Sequence, residues 1–282
     1  MDEAALRQGL RTAGYVADPA LLTTLWLAQQ LQRPVLLEGD AGVGKTSVAN
    51  AWAQALQRRL VRLQCYEGLD LQQAVYEWNY ARQLLQLRVG EDQSQNLFGR
   101  DNLLERPLLT ALTSETPCVL LIDEIDRADE AFEAYLLEAL AEFQITIPEW
   151  GTVRAVHRPQ VVLTSNATRE LSDALRRRCL YHVLEFPTRE REVEIVRLQL
   201  PAVELQLIDT AVGWVQRLRK EDLRKTPGIA ETLDWVQALH HLQVGLPPND
   251  PQLIMRTLAC LLKTREDCFQ FDAERVRRWL EG

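Results

Sequence analysis

Long apolar runs are missing from this 282-residue chain. A bilayer-spanning helix needs a stretch of about 18 or more apolar residues, and none occurs, so no such span is expected. The opening Met1-Asp2-Glu3-Ala4-Ala5 is acidic and lacks the basic-then-apolar layout of a secretory leader. Cytoplasmic residence is the expectation. Cysteines are few and odd in number: Cys65, Cys118, Cys179, Cys260 and Cys268, with no C-x-x-C spacing. That argues against a disulfide framework or a zinc site. Three of them lie in or beside apolar runs, where a thiol behaves as a small hydrophobe. The four histidines form no H-E-x-x-H pattern, and His240-His241 reads as part of a structural helix. Positive charge is not in excess either. The net charge is −8, whereas a nucleic-acid binder usually carries a basic footprint. Nucleic acid is therefore not the expected partner. What remains, 46% hydrophobic and 26% charged, is ordinary globular composition with material for one large domain or two modest ones.

What the chain does have is a phosphate-binding loop. Gly39-Asp40-Ala41-Gly42-Val43-Gly44-Lys45-Thr46 fits G-x-x-x-x-G-K-T. It follows the apolar run Pro34–Glu38 and precedes a helix-like stretch from Ser47 to Arg58. Strand, glycine-rich turn and helix N-terminus aim backbone N–H groups and the positive end of a helix dipole at a polyphosphate. Lys45 is placed to neutralise the β- and γ-phosphates, and the Thr46 hydroxyl to ligate Mg²⁺. A second constellation points to hydrolysis. Cys118–Ile122 is the continuous apolar run of a parallel strand buried on both faces, and it ends in Asp123-Glu124-Ile125-Asp126. At that strand end Asp123 is suited to hold the metal, directly or through water. Glu124 is suited to polarise the water that attacks the γ-phosphorus.

Five β-rich runs alternate with helical stretches: Val35–Glu38, Leu60–Cys65, Cys118–Ile122, Gln160–Ser165 and Tyr181–Phe186. Such alternation predicts a five-stranded parallel sheet with helices on both faces, and ligands at the carboxyl ends of its strands. From Thr188 onward no strand is expected. Apolar stripes at helical spacing (Leu205, Ile208, Val212, Val215; Ile229, Leu233, Val236, Leu239; Leu253, Leu258, Leu261, Leu262) predict a small helical bundle. The expected division is an α/β nucleotide-binding domain over 1–188 and an all-α lid over 189–282. Two insertions interrupt the first: a segment carrying Tyr66, Tyr76, Trp78 and Tyr80 with an exposed polar tract at Gly90–Asn96, and a β-hairpin around Trp150-Gly151.

Taken together, Gly39–Thr46, Leu121–Ala128, Leu163-Thr164-Ser165-Asn166 and Leu171–Cys179, in that order and spacing, resemble the AAA+ ATPases. Within these the chain is similar to the MoxR group, in particular its CoxD-type branch, associated with carbon monoxide dehydrogenase maturation. The resemblance runs from about Gly14 to Leu242. It implies a P-loop AAA+ core followed by a lid, with ATP and Mg²⁺ as cofactors. Gly39 to Ser47 would hold the nucleotide, with Thr46 and Asp123 at the metal and Glu124 as catalytic carboxylate. Asn166 matches sensor 1, an amide able to bond the attacking water or γ-phosphate. Arg178 matches the arginine finger that reaches a neighbouring subunit's nucleotide, with Arg176 and Arg177 adjacent to it. A homo-oligomeric ring, a hexamer, is thereby implied. The segment 66–98 corresponds to the helix 2 insert and 144–156 to the pre-sensor 1 hairpin. Trp78, Tyr80 and Trp150 either grip a polypeptide there or pack the insertions against the core. A protein client and a partner bearing a von Willebrand factor A domain are implied too. The rival readings are a nucleic-acid remodelling motor and a nucleotide-gated switch with slow hydrolysis. One departure stands out. Where the family carries a lid arginine, sensor 2, this chain has Glu231 or Thr232, so that either the lid senses nucleotide weakly or another residue such as Arg219 or Arg224 substitutes.

Overall fold

Nine strands occur among the described residues of the computed structural model, which are 1–88, 97–148, 150–243 and 251–281. They are β1 (Val35–Glu38), β2 (Arg59–Gln64), β3 (Tyr76–Trp78), β4 (Leu103–Glu105), β5 (Cys118–Asp123), β6 (Gln144–Ile147), β7 (Gly151–Arg154), β8 (Gln160–Ser165) and β9 (Leu180–Val183). Five of them form one sheet in the order β2-β5-β8-β1-β9, every neighbouring pair parallel. All six residues of β5 and of β8 are buried, as central strands covered on both faces require. The five β-rich runs thus become the five strands of a parallel α/β sheet. The last one differs from expectation: it spans Leu180–Val183, and Leu184-Glu185-Phe186 lies outside it.

The chain divides into two compact units. The first comprises Met1–Ala13, Ala17–Gly39 and Lys45–Val183; the second comprises Gly14–Val16, Asp40–Gly44 and Leu184–Gly282. In the first, the helix Lys45–Ala55 follows the phosphate-binding loop and buries Val48, Ala49 and Trp52. Two antiparallel ribbons, β3-β4 and β6-β7, occupy the two insertions. Trp78 is buried, with Tyr76 and Phe98 edge-on at 6.0 and 5.3 Å. Packing, not client contact, explains it. Trp150 packs half-buried against the same core, while Tyr80 is exposed. The polar tract expected at Gly90–Asn96 falls outside the described residues.

The second unit is helical: Arg189–Gln199, Leu205–Leu218, Ile229–His241, Pro251–Thr257, Arg265–Gln270 and Ala273–Glu281. Its core centres on Trp214, Trp235 and Trp279, with ring centroids 5.9–6.2 Å apart. The Trp235 indole N–H donates to Thr257 Oγ1 at 2.9 Å, which satisfies the polar edge of a buried ring. The apolar stripes locate these helices but miss their phase in places. Leu205 is exposed, whereas Leu207, Trp214 and Leu218 complete that buried face. Ile254, one position after Leu253, is the residue the core takes in. Among the described residues no helix is long and apolar enough to cross a membrane.

Candidate functional site

In the first unit the C-terminal ends of β1, β2, β5 and β8 bring the polar residues together. Thr46, in the first turn of the helix Lys45–Ala55, places its Oγ1 3.1 and 3.3 Å from the two carboxylate oxygens of Asp123. Asp123 is buried and also accepts from Thr164 Oγ1 at 2.5 Å and from Arg62 Nη2 at 2.5 Å. Lys45 is buried, and its ammonium donates to the Gly39 carbonyl at 2.6 Å. A buried ammonium must keep a polar partner, and a phosphate oxygen is a stronger one than a neutral carbonyl.

Glu124 adopts a left-handed backbone, φ 57° and ψ 50°, a conformation uncommon for a residue with a side chain. Its N–H donates to Thr164 Oγ1 at 2.9 Å, so one threonine fixes both consecutive acids. The Glu124 carboxylate accepts from Gln64 Nε2 and Arg127 Nη1, each at 3.0 Å. Ala167, immediately after Asn166, is left-handed as well, φ 56°. Local strain of this kind gathers where surrounding structure over-determines the backbone.

Asp126 supplies that determination. Its Oδ2 accepts the backbone N–H of Asn166 at 3.2 Å and of Thr168 at 3.0 Å, and the Thr168 hydroxyl at 2.6 Å. Burial, the largest single influence, opposes ionisation of Asp126. The bonds from Thr168 and Asn166 together outweigh it and hold the carboxyl below its ordinary range. Asp126 therefore ties the Asn166 turn to the strand end that carries Asp123. Cys65, close to the same acids, is driven the other way. Burial first, then the charges of Asp123, Asp126 and Glu124, pushes its thiol up to about 12, so it stays protonated and unreactive.

In the second unit, the segment Asp40–Gly44 meets the start of the helix Ile229–His241. The Ile229 N–H donates to the Gly42 carbonyl at 3.1 Å. A side chain at Gly42 would come within 2.9 Å of the Gly228 Cα, and one at Gly228 within 2.7 Å of the Gly42 Cα. Only two glycines permit this approach, and Gly42 also needs its φ of +87°. Glu231 turns back to accept the Gly228 N–H at 3.0 Å. Thr232 is buried and donates to Glu192 at 2.8 Å. The Arg219 side chain, 7% exposed, joins the same network. It makes two 2.6 Å bonds to Glu192 and donates to the Pro227 carbonyl at 2.8 Å. Arg219, one of the two residues considered as a substitute for the lid arginine, is thus engaged within this unit. Arg224 lies 3.7 Å from Glu266 on the surface.

Arg178 lies at the opposite end of the strands, level with the start of β1. It ends the helix Asp173–Arg178, and β9 then begins at Leu180 in register with Val35 at the start of β1. The loop at Gly39 is four residues further along β1, about 13 Å at ~3.3 Å per residue. Arg178 lines a cavity of about 350 Å³ with Arg33, Arg158 and Arg177 over Leu140 and Phe143. It donates to the Leu137 carbonyl, while Arg33 holds the helix end through the Arg177 and Arg178 carbonyls at 2.6 and 3.2 Å.

Thus Lys45, Thr46, Asp123 and Glu124 converge, Asn166 joins them through Asp126, and Arg178 does not. Arg62, Gln64, Thr164 and Asp126 are participants that sequence reasoning left without a role. The available signal was polarity at strand ends: Arg62 and Gln64 alternate on β2, and Gln64 is level with Asp123 on β5.

The family profile of the AAA domain (dynein-related subfamily) matches residues 34–179, from the start of β1 to the start of β9. The chain belongs to the AAA domain family. Solved structures of Thermotoga maritima RuvB share its fold. The Holliday junction branch migration motor is 20% identical, with 85% of this chain and 66% of that chain covered and a TM-score of 0.48. An arginine-to-alanine variant of RuvB is 19% identical over 92% and 69% of the respective chains, with a TM-score of 0.50. The AAA domain chain thus spans about two thirds of the first RuvB chains it matches. No curated protein matches it. The donor set fits the magnesium ion that such ATPases usually carry with their nucleotide. One carboxylate and one hydroxyl, both hard oxygens, stand 3.1 Å apart, and Mg²⁺ completes its shell with phosphates and water. Among the described residues no group of three His, Cys, Asp or Glu side chains could cage a metal by itself.

Proposed function

We propose that this AAA domain protein hydrolyses ATP with Mg²⁺ in a homo-oligomeric ring, a hexamer, and uses turnover to remodel a protein client. The MoxR-like motifs extend the proposal to metalloenzyme maturation and to a partner with a von Willebrand factor A domain. The observation that carries the ATPase reading is the meeting of Thr46 and Asp123, with Glu124 on the adjacent residue and Asn166 tied in by Asp126.

In this reading Gly39–Ser47 bind the triphosphate, and Lys45 exchanges the Gly39 carbonyl for β- and γ-phosphate oxygens. Thr46 and Asp123 would hold Mg²⁺, which when bound neutralises charge on those oxygens. Glu124 orients the attacking water and takes up its proton. The Asn166 amide bonds that water or the γ-phosphate. Arg178, at the N-terminal end of the strands and away from its own phosphate loop, is suited to a neighbour's site and not to its own. Fingers supplied in trans are worth roughly 10³–10⁵ in rate in GTPases.

The proposal is tested by ATP hydrolysis against protein concentration, with mass measured in parallel. Specific activity should rise steeply as the ring forms. An inactive ATP-bound monomer would favour a nucleotide-gated switch, a second reading supported by the burial of the Arg219 side chain and the local engagement of Glu231 and Thr232. Mixing Arg178→Ala with Glu124→Gln subunits should restore activity that neither has alone. No recovery in rings shown to be mixed would remove Arg178 from the trans site. A nucleic-acid motor would instead show salt-dependent DNA or RNA affinity, which the net charge of −8 argues against.

A further inference from the structure

The counterion of Asp123 is Arg62. The Asp123 side chain is 4% exposed and the Arg62 side chain 52%. The remaining partners of Asp123, Thr46 and Thr164, are neutral hydroxyls. A buried carboxylate needs a compensating charge as well as hydrogen bonds, and the Arg62 guanidinium supplies it from a strand position two residues before Gln64. The same Nη2 also donates to Gln64 Oε1 at 2.5 Å. Asp123, Arg62, Gln64 and Glu124 consequently form one chain of contacts linking the two adjacent acids.

A divalent ion held by Asp123 and Thr46 would be a second cation at the same carboxylate. That places two positive charges beside a guanidinium that claims Asp123 Oδ2. The two cations compete for one carboxylate, and their repulsion is large even in a partly wet site. Arg62, half in solvent on a flexible stem, is the one able to leave.

We propose that Arg62 is a tethered counter-cation that neutralises Asp123 until a divalent ion displaces it. It thereby sets the metal concentration at which the site loads. The proposal rests on the reading of Thr46 and Asp123 as metal ligands.

The test is Mn²⁺ binding followed by the loss of the free-ion EPR signal, on the full chain without nucleotide, since a triphosphate would chelate Mn²⁺ by itself. Arg62→Gln removes the competing charge and should tighten Mn²⁺ by about tenfold or more, the scale expected from one unit charge nearby. Arg62→Lys keeps the charge and should stay much closer to the parent protein, a recovery that a purely structural role would not produce. Asp123→Asn should abolish binding in either background. Equal Mn²⁺ affinity in the parent and Arg62→Gln, or weaker binding in the variant, would overturn the proposal while leaving the metal site standing. Equal strengthening by Gln and Lys would overturn it too, because charge would not be the cause. Undiminished binding in Asp123→Asn would overturn the metal-site reading, and the proposal with it.

Discussion

Glu124→Gln leaves nucleotide binding intact and lowers ATP turnover by about 10²–10⁴-fold, the usual worth of a positioned general base. Lys45→Ala, by contrast, removes nucleotide binding itself. The two variants separate because the residues act on different things. In the proposed mechanism Lys45 offers a charge to the phosphates before any chemistry, whereas the Glu124 carboxylate acts when water attacks. The amide is nearly isosteric, so the left-handed backbone at position 124 and its bond to Thr164 are kept. Gln64 and Arg127 can both still donate to the remaining amide oxygen. Fluorescent-nucleotide titration and phosphate release, run on the same preparations, measure both outcomes. Unimpaired phosphate release by Glu124→Gln would exclude it as the base. Retained affinity in Lys45→Ala would undo the phosphate-loop assignment.

The second large effect is on stability. Arg219→Ala should destabilise the helical unit by about 3–5 kcal/mol, the usual result of stranding one partner of a buried ion pair. Glu192 is fully buried and would keep Gln216 and Thr232 as neutral donors but lose the guanidinium that faces it. The loss reaches further, because Arg219 also holds the Pro227 carbonyl just before the Gly228-Ile229 helix start. Chemical denaturation followed by near-ultraviolet circular dichroism, which reports the clustered Trp214, Trp235 and Trp279, gives the number. A double replacement, Glu192→Leu with Arg219→Met, should lose much less, since apolar side chains of similar size often substitute for a buried pair at little cost. A loss below about 1 kcal/mol in Arg219→Ala would put this pair in the class of surface bridges.

Pattern made much of the fold legible. The continuous apolar run at Cys118–Ile122 and the β-rich run at Gln160–Ser165 read as strands of a parallel sheet, and both are buried strands of it. Period-3.6 stripes marked the helices after Thr188, though they misplaced Leu205 and Leu253 by ignoring the tryptophans that dominate that core. In the candidate site, Gly39–Thr46 and Asp123-Glu124 announced themselves because backbone geometry and phosphate chemistry constrain residues that are adjacent in the chain.

Arg62 and Arg219 show where that legibility ends. Both are arginines among 32 basic residues, and nothing local distinguishes a guanidinium that meets Asp123 from one sealed beside Glu192. Their partners lie 61 and 27 residues away. Trp78 is similar: an aromatic in an insertion reads equally as grip or as packing until Tyr76 and Phe98 are seen around it. By itself the sequence determined the loop, the strand ends and the alternation of elements, because each depends on short-range spacing. The tertiary structure alone decided which charge faces which, because a long side chain takes its partner from whatever the folded chain brings within a few ångströms.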